Sequence, residues 1–485
     1  MTHEQTLTDE HAPSRHGQSQ PEPMTVCQKI LHNHRIVSQT DGSQLLHVDR
    51  IYMDESAYNC LFQLREKGLT VPRPADKYLM VSHLAPTFDR AAGPTDPEIK
   101  RVFALLDEFA SEYGIDVLRY DDDRQGIYHV VAPERGITLP GLIVTGTDSH
   151  MTSHGGVGAL GISVGYDEAV HILNTNALWQ DSRSSMAIHI IGNLPAGSAP
   201  KDLALYTISQ IGAHGGHGHC IEFFGPAVDA LGIEGRMTLC NMMLEAGAWA
   251  AIVPPDHKTI RYFEGLPNSP KGELWNQAEA YWGTLRPDPD AHYVETVTLD
   301  AADVVPMVSW GIKPDQVIPI HEQIPEVQVD GDGDNGITEA LRYMNLKSGI
   351  PIEGLKIDQV FIGSCTNGRI EDLRVASDIL RGRKAVVPGL VTPGSTAVRI
   401  QAEKEGIDRV FLDAGLLWGE AGCSLCFGHH DSVVSPGNRC ASTTNRSFPG
   451  RQGPGSMTHL MSPAMVAAAS ITGKITDVRK LRVIR

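Results

Sequence analysis

Long apolar runs are missing from this chain; none approaches the ~18 residues that a membrane-spanning helix needs. Positive charge is also short, with 41 Lys and Arg against 58 Asp and Glu and a net charge of −17. Such a chain lacks the basic footprint of non-specific nucleic-acid binding. An anionic substrate must therefore be drawn in by local arginines rather than by the global field. Cysteine is scarce, 8 in 485 residues with one close pair. That excludes a disulfide scaffold and points to reduced thiols in a cytoplasmic protein. The stretch Met1 to Pro23 has neither the apolar core of a signal peptide nor the arginines of a transit peptide. Its His, Gln, Pro and Thr predict a disordered tail. What is present, 41% hydrophobic and 20% charged residues, reads as a soluble globular protein of about 2–4 domains.

The body of the chain repeats one pattern, a short apolar strand, a Gly/Ser/Thr-rich turn and a helix. That pattern predicts an α/β protein with parallel sheets, whose sites form where loops leave the carboxyl ends of strands. Leu142–Val144 runs into Asp148, Ser149 and His150, and Gly158–Val170 reads as a glycine-rich buried helix. Val360–Ile362 runs into Gly363–Asn367. The helix after it carries Glu371 and Asp372 in its first turn, where carboxylates suit the positive end of the dipole. Ser462 and Pro463 read as N-cap and N1 of a helix over Ala464–Ile471. Pro267 to Pro289 reads as an irregular excursion and Gln323 to Gly336 as a solvated linker. The alternating run from Asp330 to Asp334 lacks the ligand pattern of a calcium loop.

Three cysteines carry the strongest chemical signal. Cys365 lies in Ile362-Gly363-Ser364-Cys365-Thr366-Asn367, and Cys423 and Cys426 form a Cys-x-x-Cys pair within Ala421–Phe427. The spacing alone is shared by zinc sites and thiol–disulfide centres. A buried small hydrophobe is the ordinary role of a free cysteine. An iron–sulfur cluster on three thiolates would differ from both, because one iron keeps an open position. Adding Cys440 would make a closed four-thiolate site, but that residue stands well beyond Cys426 rather than in a second close pair. A second constellation is Asp148 with His150, since an adjacent carboxylate fixes a histidine tautomer and raises its basicity.

The flanking residues are more specific than the spacing. Ser364-Cys365-Thr366-Asn367, then Gly422-Cys423 with Cys426, then Thr444-Asn445-Arg446-x-Phe448-x-Gly450-Arg451 resemble the aconitase family. Thr147–His150, Gly218–Phe223, Glu234–Thr238 and Ser309–Gly311 extend the resemblance over nearly the whole chain from about residue 25. Within the family it is closest to the large subunits of 3-isopropylmalate isomerases (dehydratases). The resemblance implies three α/β domains, near 24–180, 181–335 and 336–485, packed around a [4Fe–4S] cluster. It implies Cys365, Cys423 and Cys426 as cluster ligands, with Asn367 and Asn445 hydrogen-bonded to cluster sulfurs. His83, His129, Asp148, His150 and Glu222 would handle a departing hydroxyl, and Arg446 and Arg451 would clamp substrate carboxylates. His214 and His217 read as solvated loop histidines, and His219 alone matches the relatives. The family's mobile fourth domain is not found before Arg485, so the implied partner is a separate small subunit that supplies the base. The reaction implied is isomerisation of 2-isopropylmalate to 3-isopropylmalate by dehydration and rehydration, a step of leucine biosynthesis.

Three positions depart from that pattern. Ser82 precedes His83 where the family has Asp, which predicts a less stabilised imidazolium. The stretch Tyr52–Ala57 differs near the substrate loop, and Gly368 replaces the usual serine. These differences leave room for a paralogue acting on dimethylmalate, methylmalate or citraconate, or a homocitrate-type acid. A nucleic-acid-binding protein on the same scaffold is disfavoured by the acidic charge and the retained motifs.

Overall fold

The computed structural model describes residues 22–326, 336–428 and 432–481. The expected tail up to residue 21 and the acidic run of the expected linker lie outside the described residues. Three parallel sheets organise the rest, in the α/β arrangement that the strand–turn–helix pattern predicts. The first orders its strands Asp116–Leu118, Lys77–Met80, Arg50–Met53, Ile143–Gly146 and Leu160–Ser163. The second runs Ala250–Ile252, His219–Phe224, Ser184–Ile191 and Glu295–Asp300. The third runs Leu417–Trp418, Gly389–Val391, Gln359–Ile362, Arg439–Ser442 and Met457–Leu460. A three-stranded antiparallel sheet and a two-stranded ladder complete the strands among the described residues.

Local sequence explains these elements. Ile143–Gly146 is buried at every position, as a parallel strand covered on both faces requires. The helix Pro97–Tyr113 starts on Asp96, whose carboxylate accepts the Glu98 amide, with Pro97 at its first position. It ends at Gly114, whose φ of 70° is the left-handed cap that glycine adopts without strain. Its buried stripe is Ile99, Phe103, Leu106, Phe109 and Ala110. Each large side chain there contributes roughly 1.5–3 kcal/mol on burial.

Two readings of the sequence need correction. Gly158–Val170 is no helix; it holds the strand Leu160–Ser163 and the start of the helix Tyr166–Thr175. Gly161 there serves a close backbone contact. A Cβ on Gly161 would stand 1.9 Å from the Met151 carbonyl oxygen. Likewise Pro267 to Pro289 contains the helix Glu273–Gly283. Its Trp275 and Trp282 meet edge to face at 5.4 Å, with Trp282 packed on Phe263. The C-terminal helix is Pro463–Thr472, with Ser462 at the N-cap position but no side-chain capping bond.

The candidate active-site residues gather where strands end. His83 follows Lys77–Met80, Asp54 and Glu55 follow Arg50–Met53, and Asp148 and His150 follow Ile143–Gly146. In the third sheet Cys365 follows Gln359–Ile362, Cys423 follows Leu417–Trp418, and Asn445 and Arg446 follow Arg439–Ser442.

Candidate active site

A cleft of about 480 Å³ opens between these strand ends. His83, Asp148, His150, Arg446 and Arg451 line it, beside an apolar wall of Tyr58, Leu84, Val102, Tyr166 and Phe427. Asp148 is the hub. Its Oδ1 lies 3.4 Å from His129 Nε2 and 3.5 Å from His150 Nδ1, and its Oδ2 lies 3.4 Å from His83 Nε2. Oδ1 also caps the following turn through the His150 amide at 2.7 Å. Burial pushes the Asp148 carboxyl up, but His129, His150 and His83 outweigh it and hold it well below its ordinary value. Burial lowers the His129 pKa, outweighing the pull of Asp148. Behind it runs a buried chain in which His129 Nδ1 meets His154 Nε2 at 3.2 Å and His154 Nδ1 meets Thr138 Oγ1 at 3.0 Å. That chain fixes the His129 ring.

His83 is better supported than Ser82 suggests. Its Nδ1 faces Asp54 Oδ2 and Glu55 Oε2, each at 3.6 Å. The negative charge comes from the turn of the neighbouring strand instead of from residue 82, which corrects the expectation of a weakly stabilised imidazolium. Burial opposes the charge on His83, yet Cys423, Asp148 and Glu55 keep its pKa well above the ordinary value. Glu55 Oε1 also accepts the amides of Ser82 at 2.7 Å and Leu84 at 2.8 Å, pinning the backbone on both sides of His83.

Glu222 is not brought to the cleft. It is fully buried under the helix Val26–His34, accepting the amides of Val26 at 3.1 Å and Cys27 at 2.9 Å. The Ser185 and Tyr293 hydroxyls also donate to it, each at 3.0 Å. A further carboxylate that meets cleft residues is Glu245, in the turn Met243–Ala246 after the helix Ile233–Met242. Its Oε1 meets His150 Nε2 at 3.0 Å and Arg446 Nε at 2.7 Å. Burial raises this carboxyl, but His150 and Arg446 outweigh it and the net shift is downward. No local motif marks Glu245, so sequence reading missed it. His219 pairs with Ser184 at 2.7 Å, in the second sheet.

The three cysteines lie buried beside the cleft. Cys365 follows Ser364, whose φ of 86° is left-handed and strained for a residue with a side chain. Cys365 Sγ receives the amide hydrogens of Asn445 at 3.3 Å and Asn241 at 3.4 Å. Cys426 Sγ receives Arg451 Nη2 at 3.6 Å, and Cys423 Sγ lies 3.8 Å from Ser82 Oγ. Arg451 stacks between Phe427 and Phe448, 4.8 and 5.7 Å from their ring centres. Asn367 does not reach a thiol: its Nδ2 donates to Asp372 Oδ1 at 2.9 Å.

The sequence matches the model of the aconitase family (aconitate hydratase) over residues 28–473. The chain belongs to the aconitase family. Members of this family are hydro-lyases. The crystal structure of the holo form of Thermococcus kodakaraensis aconitase X is a structural neighbour at 12% identity and a TM-score of 0.42. The match covers 83% of this chain and 84% of that one.

The thiols of this aconitase-family chain suit an iron–sulfur cluster. Burial pushes Cys365 up to about 12, helped by the charges of Cys426, Asp148 and Cys423, so only metal binding would hold the thiolate. Cys440 is raised by burial alone, with no contribution from the other thiols, and its Sγ is spent on the Ala441 carbonyl. Among the described residues the His/Cys/Asp/Glu group whose ligand atoms converge within 4.8 Å is Asp54, His83 and Asp148, not the three thiols. A single zinc ion draws its thiolates closer, at Zn–S of about 2.3 Å. Asn367 Oδ1, Asn445 Oδ1 and Arg451 Nε are buried without a partner. Arg451 Nε is the donor among them, and an anionic occupant beside the thiols would satisfy it.

Proposed function

We propose that this chain is the cluster-bearing catalytic chain of a [4Fe–4S] hydro-lyase that dehydrates and rehydrates a substituted malate, with 2-isopropylmalate to 3-isopropylmalate as the leading reaction. The observation that carries the reading is the placement of three buried thiols, one Asp–His–Glu network and two arginines around a single cleft. Held by Cys365, Cys423 and Cys426, the cluster would supply a Lewis-acidic iron for a substrate hydroxyl. The chain's own residues then have separate tasks. Arg446 and Arg451 receive carboxylates, as planar guanidiniums do in paired hydrogen bonds. His83 stays protonated among Asp54, Glu55 and Asp148, the form that delivers a proton to a leaving hydroxyl. Asp148 and Glu245 fix the ring of His150 from its two sides. The apolar wall of Tyr58, Leu84, Val102 and Tyr166 accommodates an alkyl substituent.

A separate small subunit completing the cleft and contributing the base that removes the carbon-bound proton belongs to the same proposal. A second substrate reading, another substituted malate or a citrate-like acid, is favoured by one observation. Asp54, Glu55 and Ser56, in the stretch that departs from the isopropylmalate pattern, line the cleft and give it a different polar wall. The test is an anaerobic assay of the iron-loaded chain with its small subunit, following alkene absorbance across substituted malates, citrate and homocitrate. Preference for isopropylmalate supports the first reading. Preference for another acid establishes the second, and no dehydration of any of them refutes both.

A further inference from the structure

Lys201 stands in the first turn of the helix Pro200–Ile211 and is fully buried. Its Nζ donates to the carbonyls of Thr443 and Thr444. Those carbonyls belong to the turn that leaves the strand Arg439–Ser442 and continues into Asn445 and Arg446. The same turn is tied to the cysteine loop, because Thr443 Oγ1 accepts the Gly363 amide and donates to the Gly363 carbonyl, both at 2.9 Å. Asp202 is occupied elsewhere, accepting the Ala199 amide at 2.8 Å and the Met307 amide at 2.9 Å.

Among the described residues, then, Lys201 makes two carbonyl contacts and no ion pair. A buried ammonium without a counter-ion is costly and is normally lost or neutralised. Burial draws the Lys201 pKa down to about 7, and the charges that oppose the shift are Asp372, Cys426, Cys365 and Asp202. Two of the four are thiols of the cleft. The two carbonyl contacts also place the donors that follow: Asn445 reaches Cys365 and Arg446 reaches Glu245.

We propose that Lys201 is the buried counter-charge of the thiolate centre and the positioning residue of the Thr443–Arg446 turn. The inference rests on the reading of Cys365, Cys423 and Cys426 as a [4Fe–4S] site. Loading the thiolates adds negative charge to that which Asp372 and Asp202 already set around Lys201. Lys201 in turn favours the loaded state.

The experiment compares wild type with Lys201→Met and Lys201→Gln, both uncharged, and with Lys201→Arg, which keeps the charge. Each is loaded anaerobically with iron and sulfide. Three readouts follow: iron release to a chelator, the reduction potential of the cluster, and the melting temperature of the metal-free chain. The two neutral variants are expected to release iron about tenfold faster or more and to shift the potential negative. Lys201→Arg is expected to keep a potential close to wild type. Metal-free Lys201→Met is expected to melt lower than wild type, since the Thr443 and Thr444 carbonyls lose their buried donor. Equal release and equal potential in the neutral variants would overturn the inference while leaving the cluster reading intact. An equal negative shift in Lys201→Arg would overturn it as well. A wild-type chain that takes up no iron would overturn the cluster reading and the counter-charge together.

Discussion

Glu245→Gln keeps the shape of the side chain that joins His150 to Arg446 and removes only its charge. Glu245 Oε1 lies 3.0 Å from His150 Nε2 and 2.7 Å from Arg446 Nε, and the carboxylate side chain is 8% exposed. At about 3 Å and an effective dielectric of about 20, one such pair is worth about 5 kcal/mol gross. Most of that is offset by desolvation. The net loss is the gap between a charge-assisted and a neutral hydrogen bond, about 1–2 kcal/mol for each contact. Two contacts give roughly 2–4 kcal/mol, or about 30- to 1000-fold in kcat/KM. The assay is alkene formation by the iron-loaded enzyme with its small subunit, with melting temperature measured alongside to separate misfolding from lost function. KM should rise because Arg446 loses its anchor, and kcat should fall because His150 loses its orienting carboxylate. A Glu245→Gln enzyme within about threefold of wild type, under 1 kcal/mol, would refute the role given to Glu245.

Other expectations follow from the same geometry. Glu55→Ala leaves the Ser82 and Leu84 amides without their acceptor and should cost on the order of 3 kcal/mol in chemical denaturation. Glu222→Ala should lower stability by a similar amount, about 3 kcal/mol, by stripping the acceptor from the start of the helix Val26–His34. An unchanged denaturation midpoint for either variant would contradict the contacts described. Burial and then Arg439 hold His459 down to about 3 from 6.5. The unfolded chain therefore takes up a proton near 6.5 that the folded chain refuses. Stability is full above that pH and falls towards about 3, at up to about 1.4 kcal/mol per pH unit. His459→Gln should flatten that acid limb, and denaturation midpoints at about pH 7.5 and about pH 5.5 check it.

Much of the site was legible because its signals are local. Cys423 and Cys426 share one turn, Asp148 and His150 another, and Arg446 and Arg451 one loop, so a short stretch of sequence carries each group. Glu245, Asn241 and Lys201 were not legible. Each reaches the site or its supporting turn from the unit of the second sheet, through contacts spanning 124 to 243 positions in the chain, and no nearby residue announces its partner. Glu222 misled for the opposite reason: it sits in a motif-rich strand, yet its side chain serves the start of a distant helix. Ser82 shows how a one-residue comparison fails, because Glu55 and Asp54 supply the charge across a neighbouring strand. The glycines near residue 160 were read as helix packing because sequence does not reveal which backbone approaches them.

The occupant of the three thiols decides the function of this chain. Iron and acid-labile sulfide should be measured after anaerobic reconstitution of wild type and of Cys365→Ser, Cys423→Ser, Cys426→Ser and Cys440→Ser, with visible absorbance and Mössbauer spectra. The account predicts a [4Fe–4S] cluster in wild type and in Cys440→Ser, and its loss in each of the other three. Cluster loss in Cys440→Ser, or wild-type protein that holds stoichiometric zinc and takes up no iron, would contradict it.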